Sequence, residues 1–342
     1  MKKYLVMAGV GLALSAGGLF AQGGGLTASK CPPGSTNALG IPDATRIAQD
    51  ACQQAYDVYQ FMAPQLGLAL AGGNATLGQG SVIGGLGHFS IGIRGNVFNG
   101  ILPQVDQFSQ SPNGVQQRVL PTKSQVLGLP TADGAIGIFK GLPLAIANVG
   151  GIDALVSASY VPTITSSNVS ITPQNNWQFG YGARVGLISE SIVTPGVSVT
   201  WIERDLPTTS IIGTTNVGGS NDTLQVLNAK VKTQAWRVVA SKSLIVFGLA
   251  AGVGQDKYNQ SADISAAVHQ GVFSGSTAVP GTAQSMTRTN LFADVSLNMP
   301  LFKLVAEVGQ ASGGTVNTYN SFAGGRADRS QVYGSAGLRL SW

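Results

Sequence analysis

The sequence predicts an all-β fold, a transmembrane antiparallel β-barrel of about 12–14 strands with an N-terminal helix. Hydrophobic residues make up 44% of the chain and charged residues only 10%. Beyond the amino terminus, no run of 18 apolar residues predicts a spanning helix. The last eleven residues alternate between apolar and polar. Apolar residues spread by alternation fit strands with one face toward lipid and the other toward a lumen.

The closing stretch, residues 332–342, shows this alternation most clearly. One face carries apolar or small residues and the other carries Tyr, Ser, Gly and Arg. A period of two predicts a strand, and the length fits a tilted membrane-crossing strand of about 9–11 residues. An amphipathic strand ending a soluble β domain is the alternative. The apolar or small residues are Val332, Gly334, Ala336, Leu338, Leu340 and Trp342.

The chain divides into three segments. Residues 1–21 predict a cleaved signal peptide, since Lys2 and Lys3 precede an apolar run too short for a spanning helix. Residues 22–87 predict a helical plug or hatch segment, and residues 88–342 predict the barrel. The formal net charge of +5 does not indicate a nucleic-acid partner.

Cys31 and Cys52 are the two cysteines. In the oxidising compartment that a signal peptide implies, such a pair is expected to form a disulfide. Two cysteines and two distant histidines do not predict a metal site, and no cofactor is expected. No Gly-x-Ser-x-Gly motif surrounds a serine, so we expect no catalytic residues and no enzyme activity.

A helix is predicted over residues 42–63. Apolar residues recur there at three- and four-residue spacing, Asp43 can cap the first turn, and Pro64 is expected to end the helix. It could be a plug in the barrel mouth or a periplasmic helix that joins the tail to the rim. The glycine-dense residues 67–87 lack the Lys-Ser/Thr of a phosphate-binding loop and predict a tight turn into the first strand.

Strand signals recur from residue 88 onward and are separated by unequal connections. A short turn is predicted at residues 298–301, and long polar loops at residues 208–221, 261–285 and 312–329. Residues 224–241 predict two short strands. Short turns at one end and long loops at the other are typical of membrane barrels.

Charged residues on the predicted strands share the phase that points into the lumen. Charge facing lipid is costly, whereas charge in a lumen is tolerated. These residues predict either a polar conduction path or a salt-bridge network that fills the barrel without conducting. The lumen-lining candidates are Arg94, Asp153, Arg184, Asp294, Glu307 and Arg339.

The closing stretch resembles the last strand of bacterial outer-membrane β-barrels, which the barrel assembly machinery reads by its alternation and terminal aromatic. The resemblance implies that Leu338, Leu340 and Trp342 form a C-terminal assembly signal. It also implies localisation in the bacterial outer membrane, with outer-membrane lipid and the assembly machinery as partners.

The leading helix and the Gly-Asn74-Ala75 stretch resemble the fatty-acid-transporter group of outer-membrane proteins and related secretion-associated barrels. Those proteins carry an N-terminal hatch before an Asn-Pro-Ala motif, and this sequence lacks the proline after Asn74. The resemblance implies a passive channel or transporter for an unidentified small-molecule solute, hydrophobic in that group, gated by the N-terminal segment. The alternative is a non-conducting structural or secretion-associated barrel.

Overall fold

The computed structural model describes residues 27–34, 44–144, 147–165, 169–215, 222–270 and 273–342. The predicted signal peptide and the predicted helix cap at Asp43 lie outside these residues. The described chain forms one long helix, a 3-10 turn at Val105–Gln107 and seventeen strands. The elements are α1 Ala44–Ala71, β1 Phe89–Pro103, β2 Val119–Leu120, β3 Thr122–Phe139, β4 Leu142–Leu144, β5 Ala147–Val149, β6 Gly151–Tyr160, β7 Ile164–Thr165, β8 Val169–Pro173, β9 Trp177–Ile188, β10 Gly196–Asp205, β11 Thr209–Thr215, β12 Asp222–Leu244, β13 Phe247–Gln270, β14 Phe273–Asn298, β15 Lys303–Ala311, β16 Ser321–Phe322 and β17 Gln331–Ser341.

The main sheet closes on itself as an antiparallel barrel. Its order is β10-β9-β6-β3-β1-β17-β15-β14-β13-β12-β11-β8-β7, and β10 also pairs with β12. The seam pairs the first and last long strands, with Ile91 opposite Leu340. These observations confirm the predicted fold class; the main sheet contains 13 strand segments among the described residues.

Fewer strands form the ring itself. β7, β8 and β11 continue β6, β9 and β10 beyond short interruptions, so ten strands of the described chain encircle the lumen. The estimate of one strand per roughly 20 residues including its connection fails where strands are long. β12, β13 and β14 contain 23, 24 and 26 residues.

Two details predicted for this region are wrong. Residues 224–241 lie in the single strand β12, and much of the predicted loop 261–285 is ladder between β13 and β14. The outward residues there are small or polar, so the large apolar outward residues that identify membrane strands are absent. The inward residues Ala262, Ile264, Ala266 and Val268 are nevertheless buried.

The outer wall carries an apolar band with aromatic side chains at its edges. On β13 the outward residues change from Leu249 and Val253 to Gln255 and Lys257, which marks where the strand leaves the hydrocarbon layer. Aromatic residues at both borders are typical of a membrane interface. The aromatic contacts are Tyr160 with Trp177 (ring centroids 4.9 Å apart), Trp201 opposite Trp236, and Phe89 with Trp342 (4.9 Å).

The two ends of the barrel differ. We call the end with the β12–β13 turn (residues 245–246) and the β14–β15 turn (299–302) the turn end. The opposite end, with connections 104–121, 161–176, 206–221 and 312–330, is the loop end. The parts of β12, β13 and β14 nearest the loop end extend beyond the apolar band.

Helix α1 is longer than predicted. It continues through Pro64 to Ala71 although proline lacks the N–H of a helical hydrogen bond. Leu68, Leu70 and Ala71 are almost fully buried inside the barrel, and this tertiary packing outweighs the local penalty. No helix among the described residues is long and apolar enough to span a membrane.

The apolar band predicts a position-dependent cost for charge on the outer face of β14. Val295→Arg places a cation in the band and is expected to destabilise the barrel by about 2–4 kcal/mol. Thr287→Arg on the same face, beyond the band, is expected to cost about 0–1 kcal/mol. Denaturant unfolding in lipid vesicles measures both, and equal costs would show that the band is wrongly placed.

Candidate functional site

The lumen contains the chain's own N-terminal segment, defined here as residues 44–87. Helix α1 packs mainly against β12, β13 and β14, with its amino end at the loop end, where Ala44 lies against Gly275 of β14. Its carboxyl end lies among the buried charges of the wall. Residues 72–87 continue to the turn end, where Gly85 approaches Lys140, and then enter β1.

All six predicted lumen-lining charges are buried, none with more than 7% of its surface exposed. Asp153 and Arg184 form an ion pair with Nη2 and Oδ2 2.6 Å apart. Asp294 lies opposite Glu307 on neighbouring strands. The wall charges therefore point inward, and most of them contact the N-terminal segment.

Arginines of the wall donate hydrogen bonds to backbone carbonyls of this segment. Carbonyl groups at a helix carboxyl end lack partners within the helix and carry partial negative charge, so guanidinium groups stabilise that end. The bonds run from Arg237 Nη2 to Ala71 O (3.0 Å), Arg94 Nη1 to Asn74 O (2.8 Å) and Arg339 Nη1 to Leu77 O (2.9 Å).

Carboxylates of the wall accept hydrogen bonds from backbone N–H groups of the same segment. Hydrogen bonds to ionised groups are shorter and stronger than those between neutral groups. The donors are Asn74 N to Glu307 Oε2 (2.7 Å), Gly78 N to Asp294 Oδ2 (2.9 Å) and Ile83 N to Asp153 Oδ2 (3.2 Å). The wall thus supplies hydrogen-bond donors for the carbonyl groups, and acceptors for the N–H groups, of this irregular backbone.

Gly73 shows why this segment is rich in glycine. Its φ of +83° is unfavourable for other residues, and a Cβ atom there would overlap the Glu307 carboxylate. The predicted turn into the first strand is thus an extended lumen-filling segment.

Sequence reasoning missed several buried charges of the wall. Arg94 Nε lies 2.9 Å from Asp133 Oδ2, and the other oxygen of Asp133 accepts from Arg204 Nη2 at 3.1 Å. Arg237 pairs with Asp256. The side chains of these residues point inward on their strands, so reading the strand period through residues 122–134, 196–205 and 224–270 would have found them.

The space left beside these charges is small. A cavity near Arg94, Asp133 and Arg339 has about 20 Å³, which is room for one water molecule. A depression of about 920 Å³ lies on the outer wall and is lined largely by apolar residues such as Ile93, Leu304 and Leu338. It faces the hydrocarbon layer and is not part of a path through the lumen.

Two buried carboxylates of α1 fix long loops across the loop end. Asp50 accepts from Ser111 N (2.8 Å) and pairs with Arg118 of the 104–121 connection. Asp57 accepts from Tyr319 N (3.0 Å) and Asn320 N (2.8 Å) of the 312–330 connection. The spacing of seven residues places both carboxylates on one side of the helix. The helix and these two loops therefore form one hydrogen-bonded unit.

The disulfide between Cys31 and Cys52 is present, as predicted. It joins residues 27–34 to the amino-terminal half of α1, where Lys30 N also donates to Gln53 Oε1 at 2.7 Å. Cys52 is fully buried against Ile264 and Val268 of β13. The bridge thus lies at the loop end.

The three residues of the predicted assembly signal lie at the turn end. Leu338 and Leu340 are outward residues of β17 opposite Ile93 and Ile91 of β1. Trp342 exchanges backbone hydrogen bonds with Phe89. Among the described residues, no cluster of three or more His, Cys, Asp or Glu side chains could hold a metal ion.

No protein-family model and no curated protein sequence matches this chain. Solved structures give weak similarity, and TM-scores this low carry no functional argument. They include the attachment invasion locus protein Ail of Yersinia pestis (9% identity, 75% of this chain and 99% of that chain, TM-score 0.27) and the transport unit of the autotransporter AIDA-I from Escherichia coli (9%, 85% and 99%, 0.30). A third is the toluene transporter TodX of Pseudomonas putida (10%, 80% and 98%, 0.30). The closed sheet and its apolar band show that the chain itself has the fold of an outer-membrane β-barrel.

Burial of Asp57 predicts a pH dependence of stability. Burial raises the pKa of its carboxyl from 3.8 to about 6, against the opposing hydrogen bonds from Asn320 and Tyr319. The folded protein then holds this proton more tightly than the unfolded chain. The destabilisation by the buried charge is present above pH 6 and is lost as pH falls toward 4. Protonation of Asp57 over that window should therefore raise the free energy of unfolding by at most about 3 kcal/mol.

Denaturant unfolding at pH 7 and pH 5 tests this contribution as a difference between variants. Asp57→Asn should remove it, whereas Asp106→Asn, at an exposed position in the 104–121 connection, should keep it. Identical pH dependence in the wild type and Asp57→Asn would contradict the assignment.

Proposed function

We propose that this protein is a passive channel of the bacterial outer membrane that its own N-terminal segment closes. In this proposal the signal peptide at residues 1–21 directs export, and the segment acts as a plug. The charged wall guides small solutes once the plug moves. No energy source is required, because the solute diffuses along its gradient.

The observation that carries this proposal is the kind of contact between plug and wall. Within the described residues, the hydrogen bonds between residues 44–84 and the barrel strands involve side chains, and none is a backbone ladder bond. The ring closes through β10–β12 and β1–β17 without the plug. The plug can therefore leave while every strand keeps both of its neighbours.

The charges also favour a reversible opening. In the closed state, Arg94, Arg237 and Glu307 are paired with the plug or with other wall residues. After the plug moves, water replaces these contacts, so the charges are not stranded in an apolar environment. A charged lumen favours small polar solutes over the hydrophobic molecules that the sequence resemblance implies.

The second candidate is a non-conducting structural barrel. The dense packing beside Arg94 and Arg339, with space for one water molecule, favours it. In that case the plug would be a permanent core of the lumen. Conductance measurements distinguish the two candidates.

Gly73→Ala is the most direct test of the plug. The added Cβ overlaps the Glu307 carboxylate and is strained by the positive φ, so the plug should leave its closed position more often. In planar bilayers we expect the wild type to be mostly closed. The variant should show an open probability at least about tenfold higher, equivalent to about 1.4 kcal/mol.

Gly95→Ala is the matched control. Gly95 lies on the outward face of β1 between Arg94 and Asn96, whose side chains contact Gly72 of the plug, and an added Cβ at Gly95 has no neighbour within 4 Å. This variant should behave as the wild type does. If correctly inserted Gly73→Ala protein also stays silent at all voltages, the channel proposal is wrong and the structural candidate is favoured.

A further inference from the structure

The direction in which the chain runs through the barrel determines at which end its amino-terminal residues lie. Helix α1 runs from the loop end to the centre of the lumen, and residues 72–87 continue to the turn end. The chain therefore passes through the ring before it forms the first strand. Its described amino-terminal portion, residues 27–34, is bound at the loop end by the disulfide to Cys52.

The position of this portion relative to the membrane follows from the outer face of β13. Outward residues beyond Val253 are polar, starting with Gln255 and Lys257. The disulfide packs against Ile264 and Val268, which are farther along the same strand. Cys52 lies 19 residues before Ala71, the end of α1 at the centre of the lumen, which is about 28 Å along the helix. Half of the hydrocarbon layer is about 15 Å thick. The disulfide thus lies outside the hydrocarbon layer, on the loop side.

Outer-membrane barrels place short turns toward the periplasm and long loops toward the exterior. In this barrel the two-residue β12–β13 turn and the four-residue β14–β15 turn lie at one end, and connections of 18 and 19 residues, 104–121 and 312–330, lie at the other. The loop end is therefore the cell-surface end.

We infer that the barrel carries its own N-terminal segment across the outer membrane and displays residues 27–34 at the cell surface. The disulfide and the loops bound to Asp50 and Asp57 hold the segment there. This is a surface-display role that does not depend on conduction, since a permanently closed barrel would display the same residues. Lys30, Pro32 and Pro33 are exposed and form the accessible part of this surface.

Three native lysines allow a test without substitution. Lys30 lies in the displayed portion, Lys123 lies at the loop end of β3, and Lys140 lies at the turn end; all three are exposed. Intact cells are treated with an amine-reactive polyethylene glycol too large to pass through porins. The labelled peptides are then identified by mass spectrometry, before and after disruption of the outer membrane.

We expect Lys30 and Lys123 to be labelled in intact cells, and Lys140 only after disruption. Labelling of Lys123 without Lys30 would overturn the display of the segment. Labelling of Lys140 in intact cells would overturn the orientation on which the inference rests. Neither result depends on conductance, so this inference and the channel proposal can fail separately.

Discussion

The requirement that every backbone polar group in the hydrocarbon layer has a partner determines this structure. A sheet meets that requirement only when it has no free edge, so the first and last long strands must pair. Here β1 and β17 form that seam, and β10 pairs with β12 where the shorter strands end. The apolar band, the aromatic borders and the inward charges all follow from closing one alternating sheet around a lumen.

Closure creates a second problem, because the inward side of each strand needs a polar environment. In a wide barrel water provides this polar environment, whereas here the N-terminal segment of the chain provides it. The irregular backbone of residues 72–84 offers both N–H and C=O groups, and the wall offers carboxylates and guanidinium groups in matching positions. An apolar helix could not have formed hydrogen bonds with the charged residues of this wall. In a regular helix, the backbone N–H and C=O groups would already be bonded to each other.

The sequence was sufficient to predict the class of the fold and part of the lumen. Alternation around Ile93, Phe179 and Leu338 identifies strands because one side of each lies in lipid. Prediction failed where β12–β14 leave the membrane, because the outer face of these strands is polar there and the sequence then resembles that of a loop. It failed again at Pro64, where confinement in the barrel outweighs local propensity. The disulfide followed from counting cysteines, but the partners of Asp133 and Arg237 required the three-dimensional register.

The seam between β1 and β17 also affects how the protein can form. Ser90 lies opposite Ser341, so this contact joins residues 251 positions apart. Contacts between such distant residues make folding slow, because the chain loses most of its freedom before they can form. The ring can therefore close only after synthesis of the final strand. The helix must already be enclosed at that moment, or it must later pass through a finished ring.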